Sequence, residues 1–317
     1  MNAAPDALRE LLRSGALDLP MPGSGRTNHR WSELARIARR DVVLGRLAEA
    51  HCDAVAILAE LRGPVPEQDA IWGVWAAEPP DPVVRAAETP DGWRLDGRKL
   101  WCSGATSCDW ALLTARTGDG PALFACDLRQ DGVRPVPNTW HAVGMADSDS
   151  GAVDFTDATA IPVGAPGSYL DRPGFWHGAI GVAACWFGAA CSIADALHER
   201  MASGRGDEHT AAHLGAVTAA LRTAHDSLTT AAAAVDDDPA DSRGRGRERA
   251  MTVRAVVEHS ATEVLHRVGR ALGAGPLCSD EHHARRVADL TVYLRQSHGE
   301  RDLAELGHLI AKRDTPW

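Results

Sequence analysis

Tyrosine and phenylalanine are scarce in this 317-residue chain, at two and four residues against ten tryptophans, so indoles must do most of its aromatic core filling. Paired cysteines are lacking too. The seven cysteines form no C-x-x-C, and the spacings of Cys102/Cys108 and Cys185/Cys191 match no zinc or redox motif. That usage reads as a reduced, cytoplasmic chain. There is no excess of positive charge, and a net charge of −10 argues against a nucleic-acid binder. No apolar run approaches the ~20 residues a bilayer span needs. The first twenty residues carry acids early and have no apolar h-region, so neither a membrane partner nor a secretory leader is expected. Gly23-x-Gly25 has no strand before it and is no dinucleotide fingerprint. His209 and His213 are four apart, but no third ligand and no H-E-x-x-H glutamate accompanies them. They read as a polar helix face, and no metal is expected.

What the chain does have is length and apolar content enough for a sizeable core. Ala4–Arg13 reads as a short helix, with Leu8, Leu11 and Leu12 on one face. Residues 31–61 carry apolar residues at helix spacing, with a break near Val42–Gly45. From Ile71 the period changes. Ile71–Ala76, Trp93–Leu95, Lys99–Cys102, Trp110–Arg116, Ala122–Cys126, Val133–Pro137 and Val153–Phe155 are short strand-like runs separated by Gly, Asp and Pro. Such a series predicts a compact antiparallel sheet or barrel. Helical periodicity then returns over Gly178–Met201, His209–Val235, Arg249–Leu272, Val287–Gln296 and Leu303–Ala311. Asp236–Glu248, an acidic block followed by a basic one, reads as a solvated loop between helices. The result is an α+β chain in three segments: N-terminal helices (1–70), a middle β domain (71–165) and a C-terminal helical bundle (166–317).

The stretch richest in information is Gly92–Ala105, GWRLDGRKLWCSGA. Asp96-Gly97 between alternating apolar residues predicts a hairpin turn, because glycine takes the positive φ a tight turn needs. Taken alone, this is an ordinary hairpin with a core tryptophan. It also resembles a block of the acyl-CoA dehydrogenase family, in which a glycine turn leads into a Lys-x-Trp-Ile-Thr strand beside the flavin. Four further stretches are similar in the same order: Trp75–Pro79 (WAAEP), Ser148–Pro162 (SDSGAVDFTDATAIP), Leu170–Gly181 (LDRPGFWHGAIG) and Arg270–Tyr293. The resemblance implies that family's architecture, bound FAD and oxidation of a CH–CH bond in an acyl thioester. Cofactor contacts carried over from it are Trp75, Ala77, Trp101 as a wall against the ring, and Ser103 as its hydrogen-bond partner. Arg270, Gly273 and Ala274 match the stretch that reaches a neighbouring subunit's cofactor, which implies a homodimer or homotetramer.

The chain departs from that pattern in three places. Ser297 stands where the family has its catalytic glutamate, and a serine hydroxyl is too weak an acid to be an unaided base. His298 and Glu300 flank it. Asp171, before the matched Arg172, is the carboxylate at the alternative base position, although Asp before Pro173 is also a helix N-cap pattern. Pro80-Asp81-Pro82 replaces a glycine-serine stretch that meets the flavin pyrophosphate, and prolines bring no N–H donor. Ser203–Glu208 (SGRGDE) replaces a second phosphate-contacting motif, leaving Arg205 as the one stand-in. These departures leave two alternatives open: a flavin-dependent monooxygenase or oxidase on the same fold, which needs no glutamate at position 297, or a non-catalytic relative without cofactor.

Overall fold

The computed structural model describes residues 3–313, in two compact units that are each discontinuous in sequence. The outer limits of the first and last segments, at 1 and 317, lie outside the described residues.

The first unit takes Met1–Leu19, Arg46–Ala142 and Ala146–Phe175. It contains α1 (Ala3–Arg13), most of α3 (Val42–Leu61), a sheet, and the short α4 (Ser168–Asp171). The strands are β1 (Trp72–Trp75), β2 (Val84–Thr89), β3 (Gly92–Lys99), β4 (Trp110–Thr117), β5 (Gly120–Asp127), β6 (Val133–Val136) and β7 (Ala152–Pro162). Pairings run β4–β2–β3–β7–β5 and back to β4, which closes a five-stranded barrel, with β1 added on β4 and β6 on β7. The barrel is not purely antiparallel as expected, because β1 and β2 both run parallel to β4.

Alternation along the strands explains the two faces. Ala111, Leu113, Phe124 and Cys126 point inward to a core with Leu95, Phe155 and Ala158. Leu112, Leu123 and Ala125 point outward onto Ile57 and Leu58 of α3, with Trp72 and Tyr169. Removing one such fully buried Leu or Phe side chain costs on the order of 2–5 kcal/mol.

Asp96-Gly97 is not a turn. Gly97 lies inside β3 at a bulge where the register against β7 shifts. Its φ is +122°, and a Cβ there would lie 2.2 Å from the Val83 carbonyl, so glycine is required for close approach rather than for reversal. The hairpin turn is Pro90-Asp91, between Thr89 and Gly92 of β2 and β3. The sequence of β2, VRAAET, is alanine-rich and carries little strand signal of its own. The expected strand Lys99–Cys102 stops at Lys99, and the chain is irregular from Leu100 until β4 begins.

The second unit takes Pro20–Gly45, Val143–Met145 and Trp176–Trp317. Its helices are α2 (Thr27–Arg40), the body of α5 (Pro173–Ala202), α6 (Glu208–Asp237), α7 (Gly246–Leu272), α8 (Gly275–Ser279), α9 (Glu281–Tyr293) and α10 (Glu300–Ile310). Contact between α2 and α5 is tight: a Cβ on Gly188 would fall 2.0 Å from the Ala35 carbonyl. By length and composition α5 could cross a membrane, contrary to the sequence expectation. However, 72% of its most apolar window is buried inside the protein, as in a core helix.

The acidic tract is more than a solvated loop. Asp236 accepts from the Gly25 and Thr27 amides at 3.0 Å and from the Thr27 hydroxyl at 2.6 Å, capping α2. Asp241 accepts from the Arg245 and Gly246 amides and starts α7. Asp207 and Asp280 cap α6 and α9 through the amides of Thr210 and His283.

Candidate functional site

In the first unit two irregular segments stand out: residues 76–83 between β1 and β2, and residues 100–109 between β3 and β4. Trp75, almost fully buried, joins them by donating its indole N–H to the Ser103 carbonyl at 3.0 Å. Gly73 is small so that this indole can lie against it, since a Cβ would come within 2.8 Å of the Trp75 Nε1. The second segment is anchored to the start of β7 through Cys102 N–H to the Gly151 carbonyl and Gly104 N–H to the Ser148 carbonyl, both 2.8 Å.

Just before those anchors Trp101 turns over. Its backbone has φ +57°, the left-handed region, and its side chain is 55% exposed. A β-carbon residue held there is uncommon, and an indole in water forfeits the burial that usually places it in a core. The alternative of a core tryptophan is therefore excluded. Beside it Ser103 is buried, its hydroxyl 2.8 Å from that of Ser150, which lies 2.8 Å from that of Ser148. Among the described residues, the amides of Ala77, Trp101 and Ser103 meet no protein acceptor.

Lys99 and Thr114 form a buried polar link that motif reading passes over. Lys99 is 3% exposed, and its ammonium donates to the Thr114 carbonyl at 2.7 Å and to the Thr114 hydroxyl at 2.8 Å. Thr114 in turn donates to the Ala76 carbonyl at 3.4 Å. Burial lowers the Lys99 pKa to about 8, against the favourable charge of Glu78. Lys99, Thr114, Ala77, Glu78 and Arg116 line a small open pocket, about 10 Å³, with Pro79, Pro82 and Val84. The adjacent thiols are poor nucleophiles, since burial pushes Cys102 up strongly and Cys108 up to about 12.

Asp171 is exposed at the end of α4 and does not cap α5. Glu60 does so, accepting from the Gly174 amide at 3.1 Å while pairing with buried Arg172 at 2.8 Å. Arg172 also faces Asp53 at 3.8 Å, which makes it a staple between α3 and α4. The first unit thus brings Trp75, Ala77, Trp101 and Ser103 onto adjoining segments. Arg270, Gly273 and Ala274 belong to the second unit, exposed where α7 ends. There Gly273 takes φ +68° and donates back to the Gly269 carbonyl. Ser297 follows α9 in a turn, accepting from the Gly299 amide at 3.3 Å. His298 pairs with Asp302 at 3.1 Å. No group of three potential metal ligands exists among the described residues.

The dibenzothiophene monooxygenase TdsC from Paenibacillus sp. A11-2 superimposes on the whole chain and on 97% of its own length, with a TM-score of 0.80 at 20% identity. The chain has an acyl-CoA dehydrogenase-type fold. Methanesulfinate monooxygenase MsuC from Pseudomonas fluorescens is similar over 98% of this chain and 91% of its own, with a TM-score of 0.79 at 20% identity. KijD3, solved with dTDP, is similar over 96% of this chain and 88% of its own, with a TM-score of 0.81 at 18% identity. TdsC has also been solved with FMN and indole. In sequence, a dibenzothiophene monooxygenase from Rhodococcus erythropolis is 33% identical over 96 residues, 27% of this chain. That match spans only 23% of the Rhodococcus protein's length. No protein-family profile matches the chain.

Proposed function

We propose that the protein is a flavin-dependent monooxygenase acting on a small organic molecule, on an acyl-CoA dehydrogenase-type scaffold. The observation that carries this reading is Trp101, turned out of the barrel wall, with its own amide and that of Ser103 meeting no protein acceptor among the described residues. A flat exposed indole flanked by unclaimed N–H donors fits a planar ring system bearing carbonyl and imine acceptors, which is what an isoalloxazine presents. Similarity to TdsC, which binds FMN, supports a flavin and favours FMN over the FAD implied by the sequence resemblance. The prolines at 79, 80 and 82 agree, since they offer no amides to a longer pyrophosphate.

The chemistry a bound flavin supplies is two-electron reduction of dioxygen, one oxygen atom passing to substrate and the other to water. The chain's own part is to hold and shield that ring. Trp101 provides the wall, and the Ala77, Trp101 and Ser103 amides provide orienting donors. The buried hydroxyls of Ser103, Ser150 and Ser148 form a row whose O–H bonds can point either way, so Ser103 can donate or accept. Arg270, Gly273 and Ala274, exposed on the second unit, are offered to the cofactor of another copy in a homo-oligomer.

Oxidation of an acyl thioester, with Asp171 as base, is the second reading, carried by the exposed carboxylate of Asp171. Purified protein given reduced FMN and air separates the two. Rapid oxygen-dependent reoxidation without any acyl-CoA supports the first. Reduction of bound flavin by acyl-CoA, abolished in Asp171→Asn, supports the second. A colourless protein that binds neither FMN nor FAD overturns both.

A further inference from the structure

We propose that Lys99 sets the charge preference of the candidate flavin site, its buried ammonium favouring an anionic reduced flavin over a neutral oxidised one. The proposal rests on the flavin reading above and adds a residue that the sequence resemblance left without a role.

Closure of the barrel is incomplete at one point. Strand β4 pairs with β1 over Trp110–Leu113 and meets β2 only at Arg116, opposite Arg85. Thr114, opposite Leu123 of β5 on its other side, lies in the gap between these two neighbours. Lys99, the last residue of β3, reaches across and donates to the Thr114 carbonyl. The ammonium therefore sits behind the segment that carries Ala77, in a link running from Lys99 through Thr114 to the Ala76 carbonyl.

A mere link would not need a charge. A neutral donor satisfies a carbonyl and a hydroxyl without the desolvation that a buried cation suffers. The chain has only two lysines, Lys99 and Lys312, against 31 arginines, and one of those two is buried here. Burial and Arg116 oppose the charged form, and together they outweigh Glu78 and Cys102, which favour it. Thr114 takes two of the three N–H donors, and among the described residues no protein acceptor takes the third. Lys99 and Ala77 line the same pocket. A cation held against its own desolvation beside a ligand-binding segment is a functional arrangement. Uptake of two electrons and one proton by FMN leaves a negative charge on the ring, and this charge is the one Lys99 complements. At a separation of about 10 Å and an effective dielectric of about 20, one unit charge alters affinity for another by roughly tenfold.

The test is an anaerobic titration of wild type, Lys99→Met and Lys99→Arg with oxidised FMN and with dithionite-reduced FMN at pH 7. Binding is followed by tryptophan fluorescence. The expected result is that Lys99→Met lowers the reduced-to-oxidised affinity ratio about tenfold, whereas Lys99→Arg keeps it. An unchanged ratio in Lys99→Met, or equal weakening of both forms, overturns the proposal and leaves Lys99 a structural link. Wild type that ignores both forms overturns the flavin reading itself. Should Lys99→Met not fold, Lys99→Gln retains an N–H donor for Thr114 while removing the charge, and the same ratio decides.

Discussion

Raising the pH of the unliganded protein isolates the Lys99 ammonium. A lysine in an unfolded chain titrates near 10.5, whereas this one is held down at about 8 by burial. Below pH 8 both folded and unfolded chains keep the proton, and the cost of the buried charge is fully present. Between pH 8 and 10.5 the unfolded chain binds the proton and the folded chain releases it, so the Lys99 contribution to stability rises with pH. At about 1.4 kcal/mol per pH unit, the whole gain is on the order of 3 kcal/mol. The neutral amine still has two N–H donors for the Thr114 carbonyl and hydroxyl, so the link survives. Urea unfolding of wild type and Lys99→Gln over pH 7–11 reads the effect as a difference in slope, which cancels every other titrating group. Lysine-selective 13C labelling gives an independent reading, because the chain has two lysines and hence two resonances. One resonance should titrate near pH 8. If both titrate near 10.5, or the two unfolding curves stay parallel, Lys99 bears no burial cost.

Trp101→Ala should leave thermal stability within about 0.5 kcal/mol of wild type, since the side chain is 55% exposed. The same change should weaken FMN binding by about tenfold through loss of the aromatic wall, as read by flavin fluorescence. Gly188→Ala should destabilise the second unit by roughly 2–3 kcal/mol in a denaturant melt, because the new methyl would fall 2.0 Å from the Ala35 carbonyl. Asp236→Ala removes three hydrogen bonds at the start of α2 and should cost about 1–2 kcal/mol, with slower-exchanging amides of α2 losing protection first. Asp171→Asn should leave oxygen-dependent turnover of reduced FMN unchanged. A loss there would return the acyl thioester reading to first place.

Periodicity made the helices legible, because long amphipathic stripes such as Val253, Val257, Val264 and Val268 announce a buried face. The strand series was legible too, since Ala111–Leu113 and Leu123–Cys126 alternate between two cores. What sequence concealed was meaning that depends on distant partners. Gly97 carries the composition of a turn, yet it serves a bulge imposed by the Val83 carbonyl. Asp171 has the pattern of an N-cap, but Glu60 from α3 occupies that role. The acidic run at 236–241 looked like solvent-facing charge, while its carboxylates start two helices. Trp101 and Ser103 stood out because a tryptophan and a hydroxyl closely spaced after a strand are conspicuous. Lys99 did not stand out, because nothing local says that β2 fails to reach Thr114.

The carboxylate that starts α2 lies 209 residues downstream of the helix it serves. On a ribosome, at about 5–20 residues per second, α2 therefore leaves the exit tunnel on the order of ten to forty seconds before its cap is made. The barrel strands, all contained between those two points, are synthesised in that interval. Until α5 is made, the Pro20–Gly45 stretch waits on a nascent chain whose other early segments belong to the first unit, its apolar stripe of Trp31, Leu34 and Ile37 uncovered. Truncation before α5 would strand that stripe in solvent, since Gly181 and Gly188 of α5 lie against Trp31, Leu34 and Ala35, making it the place where an incomplete chain aggregates or is recognised by a chaperone.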